Sequence, residues 1–468
     1  MIRNVGALKN LFKIGELRTK VLYTLMLLAI YRLGAHLPTP FINRASLAKF
    51  MEDQRAATSL FQVIDLFSGK AFQQMSVFAL GVMPYISVSI ILQLLTVVIP
   101  RLQKIQQEGA LGQRKINRWT RLGTIFLSAF QGIGLGYYLI RQGLCSAGVS
   151  PSLFVVTTAI TMCAGSTFVM WLGERISDRG IGNGISMIIA VGIMAHYPTD
   201  LGVLLNAMNS GTASWLWAPV VVVGFIGSCV AIILIQEGTR RIPMQHAKRV
   251  VGRRVMSAGS NYLPLKVNTA GVIPVIFASA LLSFPTFITQ FTAGVGSGSS
   301  RLADFFSLYS TYNFHSFLTR FGIQGTGIFL LLKSFNAHII LFSILTGFFC
   351  YFYTAVAFNP DDLANNLKKS GSFIPGKRPG KPTSEYIDYV LTRITTVGMI
   401  FLVLIAIIPQ VLEVSFQMLP VAASFIGGTG LIIVVGVMLD TLKQIESQLL
   451  MRHYEGFAAR RASAARWR

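Results

Sequence analysis

The feature that most constrains this chain is a series of long stretches without a single charged residue. Residues 76–99, 122–140, 152–172 and 269–291 contain no Asp, Glu, Lys or Arg. An α-helix rises about 1.5 Å per residue, so about 20 apolar residues cross the hydrocarbon core of a bilayer. Only 13% of the chain is charged, against about 25% in soluble domains. The chain is therefore predicted to be an all-α polytopic membrane protein.

The same reading of apolar stretches along the whole chain predicts ten transmembrane helices. They lie at roughly 20–38, 75–99, 120–140, 152–172, 185–205, 216–236, 269–291, 336–357, 391–412 and 421–440. The second span is preceded by a short segment that is too brief to cross a bilayer. The N-terminus is mixed and basic, and it does not resemble a cleavable signal peptide.

Lys and Arg are distributed very unevenly among the predicted loops. Of the 41, 32 fall in the N-terminus, in the loops 100–121, 173–184, 237–268 and 358–393, and in the C-terminal tail, whereas the opposite loops hold 8. Basic loops remain cytoplasmic, so both termini are predicted to be cytoplasmic. The remaining residue, Arg32, lies in the first span and is expected to snorkel toward the outer interface.

Two basic segments, 236–255 and 365–382, and the ending RRASAARWR carry more positive charge than orientation requires. Glycine and proline in the second segment predict a fixed, non-helical shape. Such segments suit a polyanionic or acidic partner. Charge alone does not separate RNA, acidic protein and anionic lipid, and topology alone is the simplest explanation for most of these residues.

The second and seventh predicted spans share a sequence motif. GVMPYISVS (81–89) and GVIPVIFAS (271–279) place Pro84 and Pro274 in the same register. Ten spans divide into two halves of five, and an odd number of helices per half makes the repeat inverted. The chain is predicted to form two inverted five-helix halves around a central pore, residues 1–210 and 211–443, followed by a basic tail at 444–468. Each proline is expected to kink its helix at the seam between the halves.

The seam is predicted to be apolar, since the ten spans contain no Asp or Glu apart from Asp200 toward the end of the fifth and Asp440 at the end of the tenth. An ion-coupled transporter would place carboxylates there. Six β-branched residues are the candidates for an apolar constriction that excludes ions by dewetting, although each alone is an ordinary core or lipid-facing residue: Val82, Ile86, Ile185, Ile189, Ile276 and Ile408. Three neutral polar residues are expected to form hydrogen bonds between helices: Ser87, Gln131 and Asn268.

Motifs for catalysis, metal binding and nucleotide binding are not found in the sequence. RGIGNG (179–184) resembles a phosphate-binding loop only superficially, because it lacks the Lys-Ser/Thr pair and follows a predicted helix. A tight turn between two helices is the better interpretation. The chain is therefore predicted not to be an enzyme, to have no catalytic residue, cofactor or metal, and to depend on a partner for energy.

Several longer segments, in order along nearly the whole chain, resemble the SecY family of bacterial protein-conducting channels. They include LFSG, FALGVMPYIS, LPLKVNTAGVIP, NLKKSGSFIPGKRPG and YEG. The resemblance implies a channel that passes secretory polypeptides across the plasma (inner) membrane and releases transmembrane segments sideways into lipid. It implies that 60–72, with Phe67 and Gly69, is a short plug half-helix, that the six β-branched residues form the pore ring, and that Ser87, Gln131 and Asn268 line a lateral gate.

The resemblance also implies partners. These are the small membrane subunits SecE and SecG, the SecA ATPase motor, the ribosome with its rRNA, the translocating polypeptide with its signal sequence, and membrane lipid. Motor or ribosome binding is implied for five arginines of the basic loops 237–268 and 358–390: Arg240, Arg241, Arg253, Arg254 and Arg378. The alternatives are a secondary transporter with an inverted repeat and a purely structural membrane protein. No function is attached to the loop 292–335.

Overall fold

The structure, a computed structural model, describes the chain with several gaps. The described residues are 15–43, 46–47, 65, 67–146, 148–211, 214–246, 249–251, 254–256, 260–282, 337–416 and 418–465. Most of them are helical. The helices are α1 (Gly15–Gly34), α2 (Met83–Val98), α3 (Pro100–Gln107), α4 (Ala110–Arg141), α5 (Pro151–Arg179), α6 (Gly184–Met194), α7 (Tyr197–Asn209), α8 (Trp217–Glu237), α9 (Ile273–Leu282), α10 (Ala337–Ala357), α11 (Pro360–Lys369), α12 (Lys381–Phe416), α13 (Pro420–Ile426) and α14 (Thr429–Ala465).

The described part contains seven helices that are long and apolar enough to cross a membrane, or eight if α2 and α3 are one broken span. The axes of α2 and α3 meet at 102°. The first predicted span overlaps α1, which also carries Glu16 and Arg32. The seventh predicted span is helical over Ile273–Leu282. Its residues from 283 onward lie outside the described residues. The seven or eight candidate spans are consistent with the ten predicted transmembrane helices, but they do not confirm all ten.

Two prolines that were expected to kink their helices instead lie where the helices begin. Pro84 is in the first turn of α2, and Pro274 is the second residue of α9. The expectation was wrong because a proline is harmless in a first turn, where backbone N–H groups have no partner within the helix. Gly81 and Gly271, at φ +53° and +66°, precede the two helices in left-handed conformations. The second helix therefore begins at residue 83 and not at residue 75.

The described residues form two compact units. Unit 1 lies within Met1–Asn206, Ser279–Thr311 and Val437–Arg468, and unit 2 lies within Ala207–Ala278 and Tyr312–Gly436.

Glycines allow close helix packing in unit 1. A Cβ on Gly132 of α4 would lie 2.9 Å from the Cα of Ala159 in α5, and one on Gly123 would lie 2.7 Å from a methyl of Val88 in α2. Small residues at such positions let neighbouring backbones approach, which favours helix association within lipid. The bundle of α2, α4 and α5 is thereby tightly packed.

Unit 2 contains a small β-sheet that the all-helical prediction missed. Strand β1 (Thr239–His246) lies between β4 (Ser260–Lys266) and β5 (Ser372–Phe373), and both neighbours are antiparallel to it. Strands β2 (Arg249–Val251) and β3 (Arg254–Met256) form a second antiparallel pair. The basic segment 236–255 is therefore mostly strand. Part of 365–382 belongs to helix α11, which corrects the non-helical shape expected there.

The sheet has an apolar face because its buried residues alternate with exposed ones along β1. Ile242 and Met244 are buried, whereas Arg241 and Gln245 are exposed. Buried side chains from β4, α11, the segment after β5 and α12 complete one cluster around them: Leu265, Leu367, Ile374, Ile387, Val390, Leu391 and Ile394. Period-two burial of this kind is typical of a sheet that covers a core with one face.

Candidate functional site

A loop that does not cross the membrane is enclosed within unit 1. We call residues 67–82, which lead from a short helical turn into α2, the buried loop. Phe67, Met75 and Leu80 are each 0% exposed. The first part of the predicted plug is only partly described, since residues 60–64 and 66 lie outside the described residues. Most residues of the buried loop are buried, and Gln74 is its exposed residue.

Gly69 adopts a left-handed backbone conformation within the buried loop. Its φ is +64°, a conformation that disfavours any side chain with a Cβ. A Cβ at this position would lie 2.7 Å from the Cα of Gly192 in α6. Glycine is therefore required both by the backbone conformation and by the close approach of α6.

Helix α1 holds the buried loop through two consecutive backbone carbonyls. The Tyr31 hydroxyl donates to the Ser68 carbonyl at 3.1 Å, and Arg32 Nη1 donates to the Gly69 carbonyl at 2.8 Å. Tyr31 and Ser68 are both 0% exposed. Arg32, which was expected to snorkel toward water, instead directs its guanidinium group at the loop.

The loop is also contacted by the connection between α6 and α7. His196 Nε2 lies 3.3 Å from the Asp65 carbonyl oxygen, and Lys70 Nζ donates to the Thr199 hydroxyl. Asp65 in turn accepts from the Gly69 N–H at 2.9 Å. The turn that contains Gly69 is thus held from α1 on one side and from the α6–α7 connection on another.

An aromatic stack connects this site with the surface of α5. Tyr31 stacks on Phe78 at a centroid distance of 6.1 Å, Phe78 on Phe168 at 5.9 Å, and Phe168 on Trp171 at 5.7 Å. The Arg175 guanidinium lies 5.5 Å from the Trp171 ring centroid. The stack adds apolar and ring–ring contacts around the hydroxyl that binds Ser68.

The predicted pore-ring residues are divided between the two units. In unit 1, Val82, Ile86 and Ile189 are buried, with at most 3% of each residue exposed. Ile185 is only partly buried, and it packs against Gly173 of α5.

In unit 2, Ile276 is 4% exposed. The Cβ of Ile408 lies 3.3 Å from where a Cβ on Gly427 would stand. Four of the six positions thus belong to unit 1 and two to unit 2.

The predicted gate residues have different surroundings. Ser87 is half-buried in α2. Gln131 is 2% exposed, and its Oε1 has no hydrogen-bond partner among the described residues. Asn268 Nδ2 donates to the Gly271 carbonyl at 2.8 Å, across the left-handed turn that precedes α9. Asn268 thus makes a local bond, not the bond between helices that was expected.

The predicted arginines of the basic loops are placed on the sheet or near it. Arg240 and Arg241 are exposed on β1, and Arg378 is exposed in the turn between β5 and α12. Arg254 belongs to β3, and Arg253 lies outside the described residues. Lys377 lies 5.4 Å from the ring centroid of Tyr386. The packed sheet gives these cationic side chains a rigid base.

RGIGNG forms the turn between α5 and α6, as predicted. Asn183 caps α6 by accepting from the Ser186 N–H at 3.3 Å. The Gly182 N–H donates to Gln444 Oε1 of α14 at 2.5 Å, and the Ile181 N–H donates to the Thr24 hydroxyl at 3.1 Å. The turn joins helices, and the N–H groups of Gly180, Ile181, Gly182 and Gly184 all have partners. In the described part, no group of three His, Cys, Asp or Glu is placed to hold a metal ion.

Sequence reasoning missed the residues that hold the buried loop: Tyr31, Arg32, Gly192 and His196. Only Arg32 gave a signal, as the one basic residue that lies away from the N-terminal end of its predicted span, since a charge in such a position is costly and usually has a role. The other three contacts join residues far apart in the chain.

Comparison with known proteins places these features in one family. A model of the SecY family matches residues 76–442. The chain is 41% identical to the protein translocase subunit SecY of Chlamydia trachomatis, over 97% of this chain and 98% of that one. It is 42% identical to the Streptomyces coelicolor subunit, over 96% and 99%.

Solved structures with the same fold include a protein-conducting channel, with a TM-score of 0.61, 19% identity and coverage of 92% of this chain and 91% of that one. Another is Sec61 in a canine ribosome–channel complex, with a TM-score of 0.55, 17% identity and the same coverage. A third was described under a title stating that the SecY plug domain stabilises the closed state and maintains a membrane seal. Its TM-score is 0.58 at 19% identity, with coverage of 92% and 91%.

Proposed function

Because the chain belongs to the SecY family, we propose that it is the polypeptide-conducting channel of a bacterial translocase and that residues 60–72, which include the first part of the buried loop, are its plug. The observation that carries the assignment of the plug is the burial of most of this non-spanning loop, in which Phe67, Ser68 and Met75 are 0% exposed and Gln74 is the exposed residue. A segment held by its backbone can leave its site without breaking the helices around it. Secretory polypeptides would pass through the centre once it has left.

The apolar ring is proposed to seal the channel around a moving chain. A polypeptide channel must accept any side chain, so it cannot rely on specific polar contacts along its path. Uncharged, branched side chains can yield to a polypeptide and can still exclude ions by dewetting. The proposed ring consists of Val82, Ile86, Ile185, Ile189, Ile276 and Ile408.

The lateral gate is proposed to have Ser87, Gln131 and Asn268 as its polar residues. The unpartnered Oε1 of Gln131 supports this role. A buried acceptor without a hydrogen bond costs about 1–3 kcal/mol, and a partner gained during gating would remove that cost. Signal sequences and transmembrane segments would enter lipid through this gate.

The proposed setting is the bacterial plasma membrane, with both termini in the cytoplasm. Support comes from the strong excess of Lys and Arg in one set of loops. That set includes both the RGIGNG turn and the β-sheet of unit 2, so the sheet is proposed to face the cytoplasm.

The proposed partners are SecE, SecG, the SecA motor and the ribosome. The exposed arginines on the packed sheet support docking of a polyanion or of an acidic protein surface. One structure with the same fold is Sec61 in a ribosome–channel complex. The channel is proposed to be passive and non-enzymatic, and the motor or the ribosome would supply the energy.

The comparisons give no support to the alternative of a secondary transporter. The curated relatives are translocase subunits, and the structures with the same fold are protein-conducting channels.

Deletion of the plug tests the proposal directly. Removing residues 60–72 should raise ion conductance through the full-length protein in planar bilayers. A control that replaces the same residues with a Gly/Ser linker of equal length should also leak, because it restores the connection but not the plug. Conductance equal to that of the unmodified channel in both variants would contradict the proposal.

Charge reversal tests the docking role of the cytoplasmic sheet. Arg378→Glu should weaken binding to ribosomes or to the motor without changing the location of the termini. The matched control is Arg18→Glu, which reverses an exposed charge on α1 on the same side of the membrane. Equal loss of binding in both variants would show that binding depends on the total positive charge on this side of the membrane and not on the position of Arg378.

A further inference from the structure

The hydrogen bonds from the Tyr31 and Arg32 side chains of α1 to the buried loop are made to backbone atoms of the loop. Tyr31 and Arg32 are neighbours in sequence, and they bind the carbonyls of neighbouring loop residues, Ser68 and Gly69, at 3.1 and 2.8 Å. Loss of the Tyr31 hydroxyl would leave the Ser68 carbonyl without this donor in a fully buried position. The two bonds thus contribute directly to keeping the loop in place.

The backbone of the same loop is strained. Lys70 and Met75 adopt φ values of +69° and +43°, and the only other non-glycine residue with positive φ in the described part is Phe41. A left-handed conformation is sterically unfavourable for a residue that has a Cβ. Each such residue lowers the population of the enclosed loop by roughly five- to thirty-fold relative to a relaxed backbone.

We propose that Tyr31 and Arg32 form a latch that holds the plug in place against the backbone strain at Lys70 and Met75. The proposal rests on the assignment of the buried loop as the plug. The latch and the strain act in opposite directions, so the plug remains enclosed yet needs little work for release. On release the two carbonyls can be hydrated, Arg32 becomes free to meet water, and the strained residues can relax.

Removal of the latch should open the channel to ions. Tyr31→Phe deletes one oxygen and keeps the ring that stacks on Phe78 at 6.1 Å. We expect ion conductance in planar bilayers to rise about two- to ten-fold, the net value of one hydrogen bond, because the buried Ser68 carbonyl then keeps only its bond from the Ala71 N–H at 3.4 Å. Arg32→Gln should also leak, and Arg32→Lys should leak less because it retains a cationic donor. The control is Tyr137→Phe, which changes a tyrosine that is 45% exposed on α4.

Removal of the strain should have the opposite effect. Lys70→Ala and Lys70→Gly both lose the bond to Thr199, but only the glycine variant removes the Cβ from the left-handed position. The glycine variant should leak about two- to five-fold less than the alanine variant, because it removes the steric cost of a Cβ in the left-handed conformation. The difference stays this small because glycine gains more backbone freedom than alanine in the released loop. Phe41→Ala and Phe41→Gly, outside the loop, should not differ in conductance.

The outcomes separate the latch from the plug itself. The latch is overturned if Tyr31→Phe and Arg32→Gln conduct no more than the unmodified channel while deletion of 60–72 causes leakage. That result leaves the plug assignment intact. No leakage after the deletion overturns the plug assignment. Equal leakage in Lys70→Ala and Lys70→Gly overturns the role of strain. An unchanged thermal unfolding midpoint in Tyr31→Phe shows that the leak arises from gating and not from misfolding.

Discussion

Gly69→Ala is the substitution whose effect the structure defines most sharply. The new Cβ would stand at φ +64°, which costs about 1–2 kcal/mol. It would also lie 2.7 Å from the Cα of Gly192 and 3.0 Å from Arg32 Nη1. The first of these neighbours is backbone and cannot rotate away, so overpacking adds about 1–3 kcal/mol.

Together these terms destabilise the enclosed loop by about 2–5 kcal/mol relative to the released one. The lower figure already corresponds to about a 30-fold change in the ratio of the two states. We therefore expect ion conductance of the Gly69→Ala channel in planar bilayers to exceed that of the unmodified channel by at least about 30-fold. The increase has a ceiling, which is reached when every channel conducts.

Two alanine variants serve as controls for this prediction. Gly192→Ala places its Cβ 3.4 Å from the Cα of Gly69, an ordinary van der Waals contact, and it should leak little. Gly109→Ala has the same kind of backbone penalty at φ +69°, but no atom lies within 4 Å of its Cβ, and it should not leak. Leakage of Gly192→Ala equal to that of Gly69→Ala, or a tight Gly69→Ala channel, would refute the reasoning.

Three further predictions concern other parts of the fold. Pro84→Ala should change the free energy of unfolding by less than about 1 kcal/mol, because Pro84 lies in a first turn; a loss of about 3 kcal/mol in chemical denaturation would contradict this placement. Asn183→Ala should cost about 0.5–2 kcal/mol through loss of the cap of α6, measured in the same way. Ile387→Ala, at a position that is 0% exposed, should destabilise the sheet by about 2–5 kcal/mol. Faster amide hydrogen exchange in β1 would report it, and unchanged exchange would count against the shared core.

The sequence was sufficient to predict where most apolar helices lie, because hydrophobicity over about 20 residues is a strong local signal. It could not define where the helices end outside the lipid. The third predicted span began at residue 120, whereas α4 begins at Ala110, since helix beyond the membrane carries charge and escapes a hydropathy criterion. Pro84 was misread for a related reason, although Gly81 three residues earlier was the available signal for a helix that starts there.

The sheet of unit 2 could also have been predicted from the local sequence pattern. Ile242 and Met244 alternate with exposed residues, but the density of positive charge in this segment drew the interpretation toward partner binding. The latch, by contrast, was not predictable from local pattern. Tyr31 and Ser68 are 37 residues apart, and their bond exists only because α1 packs beside the buried loop.

The central claim is that secretory polypeptides pass through the apolar ring. It is tested most directly by arresting a secretory chain that carries one cysteine in transit through channels in which the four native cysteines have been replaced by alanine. Single cysteines would be placed in turn at Ile86, Ile189, Ile276 and Ile408, with Val223, 69% exposed on α8, as the control. We expect disulfide adducts at all four ring positions and none at Val223. Adducts at Val223 with none at the ring positions would contradict it.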